Sequence, residues 1–225
     1  MKPDPILCFV VKAPDPLRSK TRLVPLSPEI RTALSAAMIE DGVSLACSMP
    51  GVRVVVACDP DPEHPFFQAL ASRWPVERVG QGGGDLGERL CNLSRRLQAE
   101  GAPLLFLGGD CPQLSRSTLP ESLEALSRVE VVMSPAADGG YILLGLRKFA
   151  GILFYNIPWS TSRVAEITRD RLVEGGLSWE EGPAGFDIDR IEDLHKLAQF
   201  CAPGQFPGTT ALLVSLGLYR PAAPE

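Results

Sequence analysis

The feature that most constrains this chain is the run Ile-Leu-Cys-Phe-Val-Val at positions 6–11, with prolines just before it and Lys12, Ala13 and Pro14 just after. An apolar run with no polar alternate cannot turn one face to water, so it reads as a strand covered on both sides, as strands are in parallel sheets between helix layers. The chain beyond it keeps a strand–helix rhythm. Ser27 before Pro28 is an N-cap with proline at the first helical position, and Ile30, Leu34, Ala37, Met38 and Leu45 recur at helical spacing. Val52–Ala57 reads as the next strand, Phe66–Ala71 as a short helix, Val76–Val79 as a strand, and Leu86–Ala99 as a helix. Leu104–Leu107 then reads as a buried strand, Leu119–Leu126 as helix and Val129–Met133 as strand.

The rhythm changes after Ser134. Tyr141–Leu146 reads as a strand with no helix directly before it, which points to an irregular or antiparallel section. Thr161–Glu174 and Asp193–Phe200 read as helices, Ala211–Leu218 as a docking helix, and Pro221–Glu225 as a frayed tail. The expectation is one α/β domain over residues 1–225, a three-layer α/β/α sandwich around a mixed, mostly parallel sheet.

Composition narrows the function. A hydrophobic fraction of 45% and a charged fraction of 22% are those of a globular chain that can bury a core unaided. The formal charge of -5 gives no general attraction to nucleic acid or to an anionic membrane. The cysteines at 8, 47, 58, 91, 111 and 201 form no CxxC pair or zinc-like spacing, and the apolar run at 6–11 is too short for a signal-peptide core or a span, so a cytoplasmic protein is expected.

Ligands of open α/β sheets gather at the carboxyl ends of strands, which directs attention to four loops. Residues 12–23 concentrate Lys12, Arg18, Lys20 and Arg22, a group able to neutralise a pyrophosphate or merely to form a solvated basic loop. Residues 107–114 place Asp110 after Gly108 and Gly109, where it could hold Mg²⁺ or Mn²⁺ or hydrogen-bond its own turn. Asp138 before Gly139 and Gly140 reads as a hairpin turn leading to Tyr141, or as a carboxylate for substrate hydroxyls. Asp187 and Asp189 would point to one side of an extended stretch, suited to a metal, while Asp189 with Glu192 also resembles a helix-capping arrangement. His64 and His195 have no partner at metal-ligand spacing. Gly82–Gly84 lacks the dinucleotide-binding spacing, and Cys111 reads as a small buried residue.

Taken in order, KAP with KTRL at 12–23, DLGERL at 85–90, GGDCPQL at 108–114, DGGYILLGL at 138–146, IPWST at 157–161 and FDIDRIEDL at 186–194 resemble an uncharacterised bacterial family of the nucleotide-diphospho-sugar transferase (GT-A) superfamily. The resemblance implies a Rossmann-like GT-A sheet. It implies that Lys12, Ala13, Pro14, Lys20 and Arg22 wrap the nucleotide and its phosphates, and that Gln81 and Asp85 border the base. Asp138, Gly139, Gly140 and Tyr141 would face the acceptor, and Asp110 with Asp187 and Asp189 would hold the metal, the late pair as in phospholactate guanylyltransferases. Leu17, Cys111, Gln113 and Ser134 depart from the family's usual residues. Three functions are expected from this resemblance. Nucleotidyl transfer from a nucleoside triphosphate to a phosphorylated small molecule is favoured by Lys20 and Arg22, which with Asp110 would be catalytic. Glycosyl transfer from a nucleotide sugar to a small-molecule acceptor and non-catalytic nucleotide binding are the alternatives.

Overall fold

The computed structural model describes residues 3–24, 26–112, 114, 117–200 and 206–219; Gln113 and the expected frayed tail lie outside them. The run at 6–11 forms strand β1 (Ile6–Lys12), buried on both faces as the absence of alternation demands. Its side chains divide by parity. Leu7, Phe9 and Val11 enter one core with Ile39 and Val43, whereas Ile6 and Cys8 enter another with Leu90 and Leu93. β2 (Arg53–Asp59) and β4 (Leu104–Gly108) split the same way, so the helices α1 (Pro28–Cys47) and α3 (Leu86–Leu97) cover opposite faces of one sheet.

The sheet has seven strands in the order β3-β2-β1-β4-β6-β5-β7, where β3 is Val76–Gly80, β5 Val131–Pro135, β6 Tyr141–Leu146 and β7 Trp179–Glu181. β3, β2, β1 and β4 are mutually parallel, β6 runs antiparallel to both β4 and β5, and β7 is parallel to β5. The antiparallel section expected after Ser134 is this β5–β6 hairpin. From β1 the chain first builds outward through β2 and β3, then returns to place β4 on the other side of β1. The loops leaving β1 and β4 therefore diverge and open a crevice at their carboxyl ends.

The remaining helices are α2 (Pro65–Arg73), α4 (Thr118–Arg128), α5 (Val164–Glu174), α6 (Ile191–Phe200) and α7 (Pro207–Ser215). β5 begins two residues later than its valines suggest, since Val129 caps α4, and α5 begins at Val164 rather than Thr161. β7 was not expected, because Trp-Glu-Glu carries no apolar run and is held at the sheet edge by pairing with Val131–Met133. α1 is buried on two sides. Leu34 and Met38 turn from the sheet into a third core with Leu194, Leu197 and Leu213 from α6 and α7. There the buried carboxylate of Asp41 accepts from the amides of Gly208 at 3.0 Å and Thr209 at 2.8 Å, satisfying the open N-terminus of α7. No helix among the described residues is long and apolar enough to cross a membrane.

Candidate functional site

The crevice between the β1 and β4 loops is a cavity of about 730 Å³, lined among others by Lys12, Ala13, Lys20, Arg22, Asp110 and Asp189. The loop after β1 owes its course to Asp15. The Asp15 carboxylate accepts from the amides of Leu17 and Arg18, and Ser19 Oγ accepts from the Asp15 amide at 2.8 Å. This turn brings Lys20 back over the sheet with a left-handed backbone, φ 48°. The Lys20 ammonium donates to Asp110 Oδ2 at 2.7 Å and to Asp189 Oδ1 at 3.3 Å, while Arg22 reaches Asp189 Oδ2 at 3.1 Å. Burial opposes the charge on Lys20, but the carboxylates of Asp110 and Asp189 more than offset it and hold the ammonium's pKa above its ordinary value.

Asp187 and Asp189 come from far along the chain, and backbone pairing places them. Gly185 bridges in parallel to Ala136, and the Ile188 amide donates to the Asp110 carbonyl at 3.1 Å, so the stretch runs along the end of β4. Phe186 and Ile188 are buried, and of the alternating aspartates Asp189 lines the cavity while Asp187 does not. The two then diverge in partner. Asp187 Oδ1 accepts from the Cys111 thiol at 2.8 Å, and Asp110, Cys111 and Asp187 each bring a donor atom within 4.8 Å of the others. Asp189 lies outside this group and is ion-paired to Lys20 and Arg22. Burial first, then the neighbouring Asp110, pushes the Asp187 carboxyl up to about 6, and burial drives the Cys111 thiol well above its ordinary range. The expected Asp189–Glu192 cap is replaced by Asp193, whose carboxylate accepts from the amides of Asp189 and Arg190.

Other expected residues have visible local roles. The Ala13 amide donates to the Asp59 carbonyl, extending the sheet, and Pro14 is not among the residues lining the cavity. Gln81 is buried, and its amide nitrogen donates to the carbonyls of Val11 and Ala57 at 2.9 Å each, tying β1 to β2. Asp85 caps α3 in a reciprocal box with Glu88. Neither Gln81 nor Asp85 lines the cavity. Asp138 accepts from the Gly140 amide within the β5–β6 turn. Gly139, at φ 91°, leaves room for the chain itself, since a β-carbon there would lie 2.0 Å from the Ser162 carbonyl oxygen. Tyr141 packs edge-on to Trp159, its buried hydroxyl has no hydrogen-bond partner among the described residues, and burial raises its pKa. These four residues build the hairpin beside the crevice and do not line it.

The sequence reading missed the loop after β2. Asp59 and His64 line the cavity, and Asp59 pairs with Arg89 at 3.1 Å. His64 accepts from the Phe66 amide through Nδ1 and so caps α2. The signal was present: β2 ends at the same edge of the sheet as β1, so its loop faces the same crevice.

A parallel sheet with a switch-point crevice, continued by an antiparallel hairpin, is the fold of nucleotide-diphospho-sugar transferases, and solved structures of that kind share it. A crystal structure from Desulfovibrio desulfuricans G20, described as a candidate nucleotide-diphospho-sugar transferase, is similar with a TM-score of 0.87 at 24% identity, over 96% of each chain. The CMP:2-keto-3-deoxy-manno-octonic acid synthetase complexed with CTP is similar at a TM-score of 0.54 and 14% identity, over 88% of this chain and 100% of that one. The 4-diphosphocytidyl-2C-methyl-D-erythritol synthase of Anaerococcus prevotii is similar at 0.57 and 9%, over 93% and 96%. Residues 43–161 match the model of the family described as an uncharacterized protein conserved in bacteria, DUF2064, and the chain belongs to that family. No curated protein matches the sequence.

Proposed function

We propose that this chain is a metal-dependent nucleotidyltransferase that joins a nucleoside triphosphate to a phosphorylated small molecule and releases pyrophosphate. The observation that carries the reading is the meeting of Lys20, from the loop after β1, with Asp110, at the end of β4, inside the switch-point crevice. Structural neighbours support a nucleotide partner, one of them being complexed with CTP. A phosphate oxygen of the acceptor would attack the α-phosphorus, and the bond to the β-phosphate oxygen would break. Lys20 and Arg22 would pair with the phosphates and stabilise the charge that collects on the leaving pyrophosphate.

The donor set fits a hard divalent cation. The carboxylates of Asp110 and Asp187 converge, and the third donor, Cys111, is a buried thiol whose raised pKa keeps it neutral. Oxygen ligands suit Mg²⁺ or Mn²⁺. Such a cation supplies charge neutralisation at the phosphate oxygens when bound. Asp110 and Asp187 would hold it, with Asp189 placed to take part once released by Lys20.

Glycosyl transfer from a nucleotide sugar is the second reading. Asp138 favours it: although outside the crevice lining, its charge is felt at Asp187, and its carboxylate, turned from the Gly140 amide, would serve as base to an acceptor hydroxyl. Products separate the readings. Pyrophosphate marks nucleotidyl transfer, a free nucleoside diphosphate marks glycosyl transfer, and nucleotide binding with neither product marks a non-catalytic protein. The first test is thermal unfolding against nucleoside triphosphates and nucleotide sugars, each with Mg²⁺, Mn²⁺ or chelator. Ligand at 100 times its dissociation constant stabilises by about 2.7 kcal/mol. A metal-dependent rise with a triphosphate is expected; no rise with any nucleotide overturns the proposal.

A further inference from the structure

Lys20 occupies an unusual position for a residue whose proposed partner is a phosphate. Its side chain is 9% exposed, against 70% for Arg22 two residues on, and its ammonium bridges Asp110 and Asp189. The backbone beneath it is left-handed at φ 48°, a region that side chains with a β-carbon adopt infrequently, and both ion-pair contacts lie at the far end of that side chain. On both shoulders of Lys20 the loop leaves apolar residues in water, Leu17 at 85% exposure and Val24 at 70%. Leu23 anchors the end of the loop in the third core, while the stretch at Lys20 is held by charge.

Resting on the nucleotidyl-transfer reading, we propose that Lys20 is a tethered counter-cation that latches the loop after β1 onto Asp110 and Asp189 in the ligand-free protein, and that a divalent cation with its nucleotide displaces it. The ammonium neutralises the carboxylate that the cation needs, and a second positive charge beside it is repelled. A free cation therefore binds against the latch. A cation arriving with a triphosphate does not, because the phosphates give Lys20 a new partner as it leaves Asp110. Cation and triphosphate thus promote each other's binding through one side chain, and the coupling is reciprocal. Departure of Lys20, with Arg22 turning to the same phosphates, makes Asp189 available to the incoming cation, which reconciles its place in the late aspartate motif with its position outside the Asp110–Asp187 group.

The test is the affinity of the nucleotide-free protein for Mn²⁺, read by electron paramagnetic resonance, with inorganic triphosphate as the second probe. Lys20→Met should bind free Mn²⁺ roughly tenfold more tightly than wild type, and inorganic triphosphate should tighten Mn²⁺ binding in wild type but much less in the variant. Trypsin supplies a reading independent of the metal, since cleavage after Arg18 and Arg22 should be faster in the unlatched variant. Lys20→Gln provides the same comparison should the methionine variant fold poorly. Asp110→Asn separates the two levels of the argument. If it abolishes Mn²⁺ binding while Lys20→Met leaves the affinity at or below the wild-type value, the latch is wrong and the metal site stands. If Asp110→Asn binds Mn²⁺ as wild type does, the metal site fails and the latch with it.

Discussion

The parallel half of the sheet and its mixed half end in loops of opposite character. Beyond β1, β2 and β4 the chain leaves the sheet in separate directions, and charged side chains from distant positions converge in the space between. Beyond β5 the chain turns straight back into β6. Its aspartate, glycines and tyrosine are taken up by the turn itself, by the close approach of Ser162 and by packing on Trp159. Similar Asp-Gly-Gly and Gly-Gly-Asp strings are therefore placed differently, the Asp110 string opening onto the crevice and the Asp138 string held within its own turn. The topology around a motif decides between the two, not the motif.

Substitutions can break this contrast. Asp110→Asn, in the parallel half, should abolish metal-dependent nucleotide binding in calorimetry while leaving the unfolding transition cooperative. Gly139→Ala, in the mixed half, should do the reverse. A β-carbon 2.0 Å from a carbonyl on a backbone at φ 91° should cost about 3 kcal/mol in urea unfolding, with nucleotide affinity of the folded fraction retained. Lys20→Ala should weaken binding of a triphosphate by roughly tenfold and of the matching nucleoside hardly at all; an equal loss for both would make Lys20 a structural residue. Asp41→Ala, remote from both halves, should lower stability by about 1 kcal/mol through the lost cap on α7, seen as a lower urea midpoint. A last effect, close in size to that of Asp41→Ala, is in pH. The Asp187 carboxyl is raised from 3.8 to about 6 in the folded protein, so the folded state binds its proton more tightly than the unfolded state. The metal-free protein should gain stability as pH falls from 7 toward 5 and lose that contribution as pH rises through about 6. Asp187→Asn should flatten this part of the profile, as should saturating Mn²⁺.

Elements with a strong local signal were legible in the sequence. β1 was readable because its run admits no exposed face, and the start of α1 because Ser27 and Pro28 mark it, the Ser27 hydroxyl accepting from the Ile30 amide. β7 was illegible because its strand character comes wholly from its neighbour. At the site, the loops carrying Lys20, Asp110, Asp187 and Asp189 could be named in advance, since each follows or adjoins the carboxyl edge of a strand. Which carboxylate meets which cation could not, because the Lys20–Asp189 and Cys111–Asp187 contacts join residues 169 and 76 positions apart through a tertiary path. Gln81 and Asp85 carry local roles that the resemblance does not specify. Their place in the chain matches a binding motif, while their side chains tie strands together and cap a helix.

The cap that Asp41 places on α7 spans 167 residues of chain. During synthesis α1 is made well before α6 and α7, so its outer stripe, with Leu34 and Met38, lacks Leu194, Leu197 and Leu213 until those helices have been made. Until then that apolar stripe and the Asp41 carboxylate beside it await partners made much later in the chain. Closing this layer joins segments far apart in sequence, and a chain cut short before α7 would leave the α1 stripe without Leu213 and Asp41 without its amides.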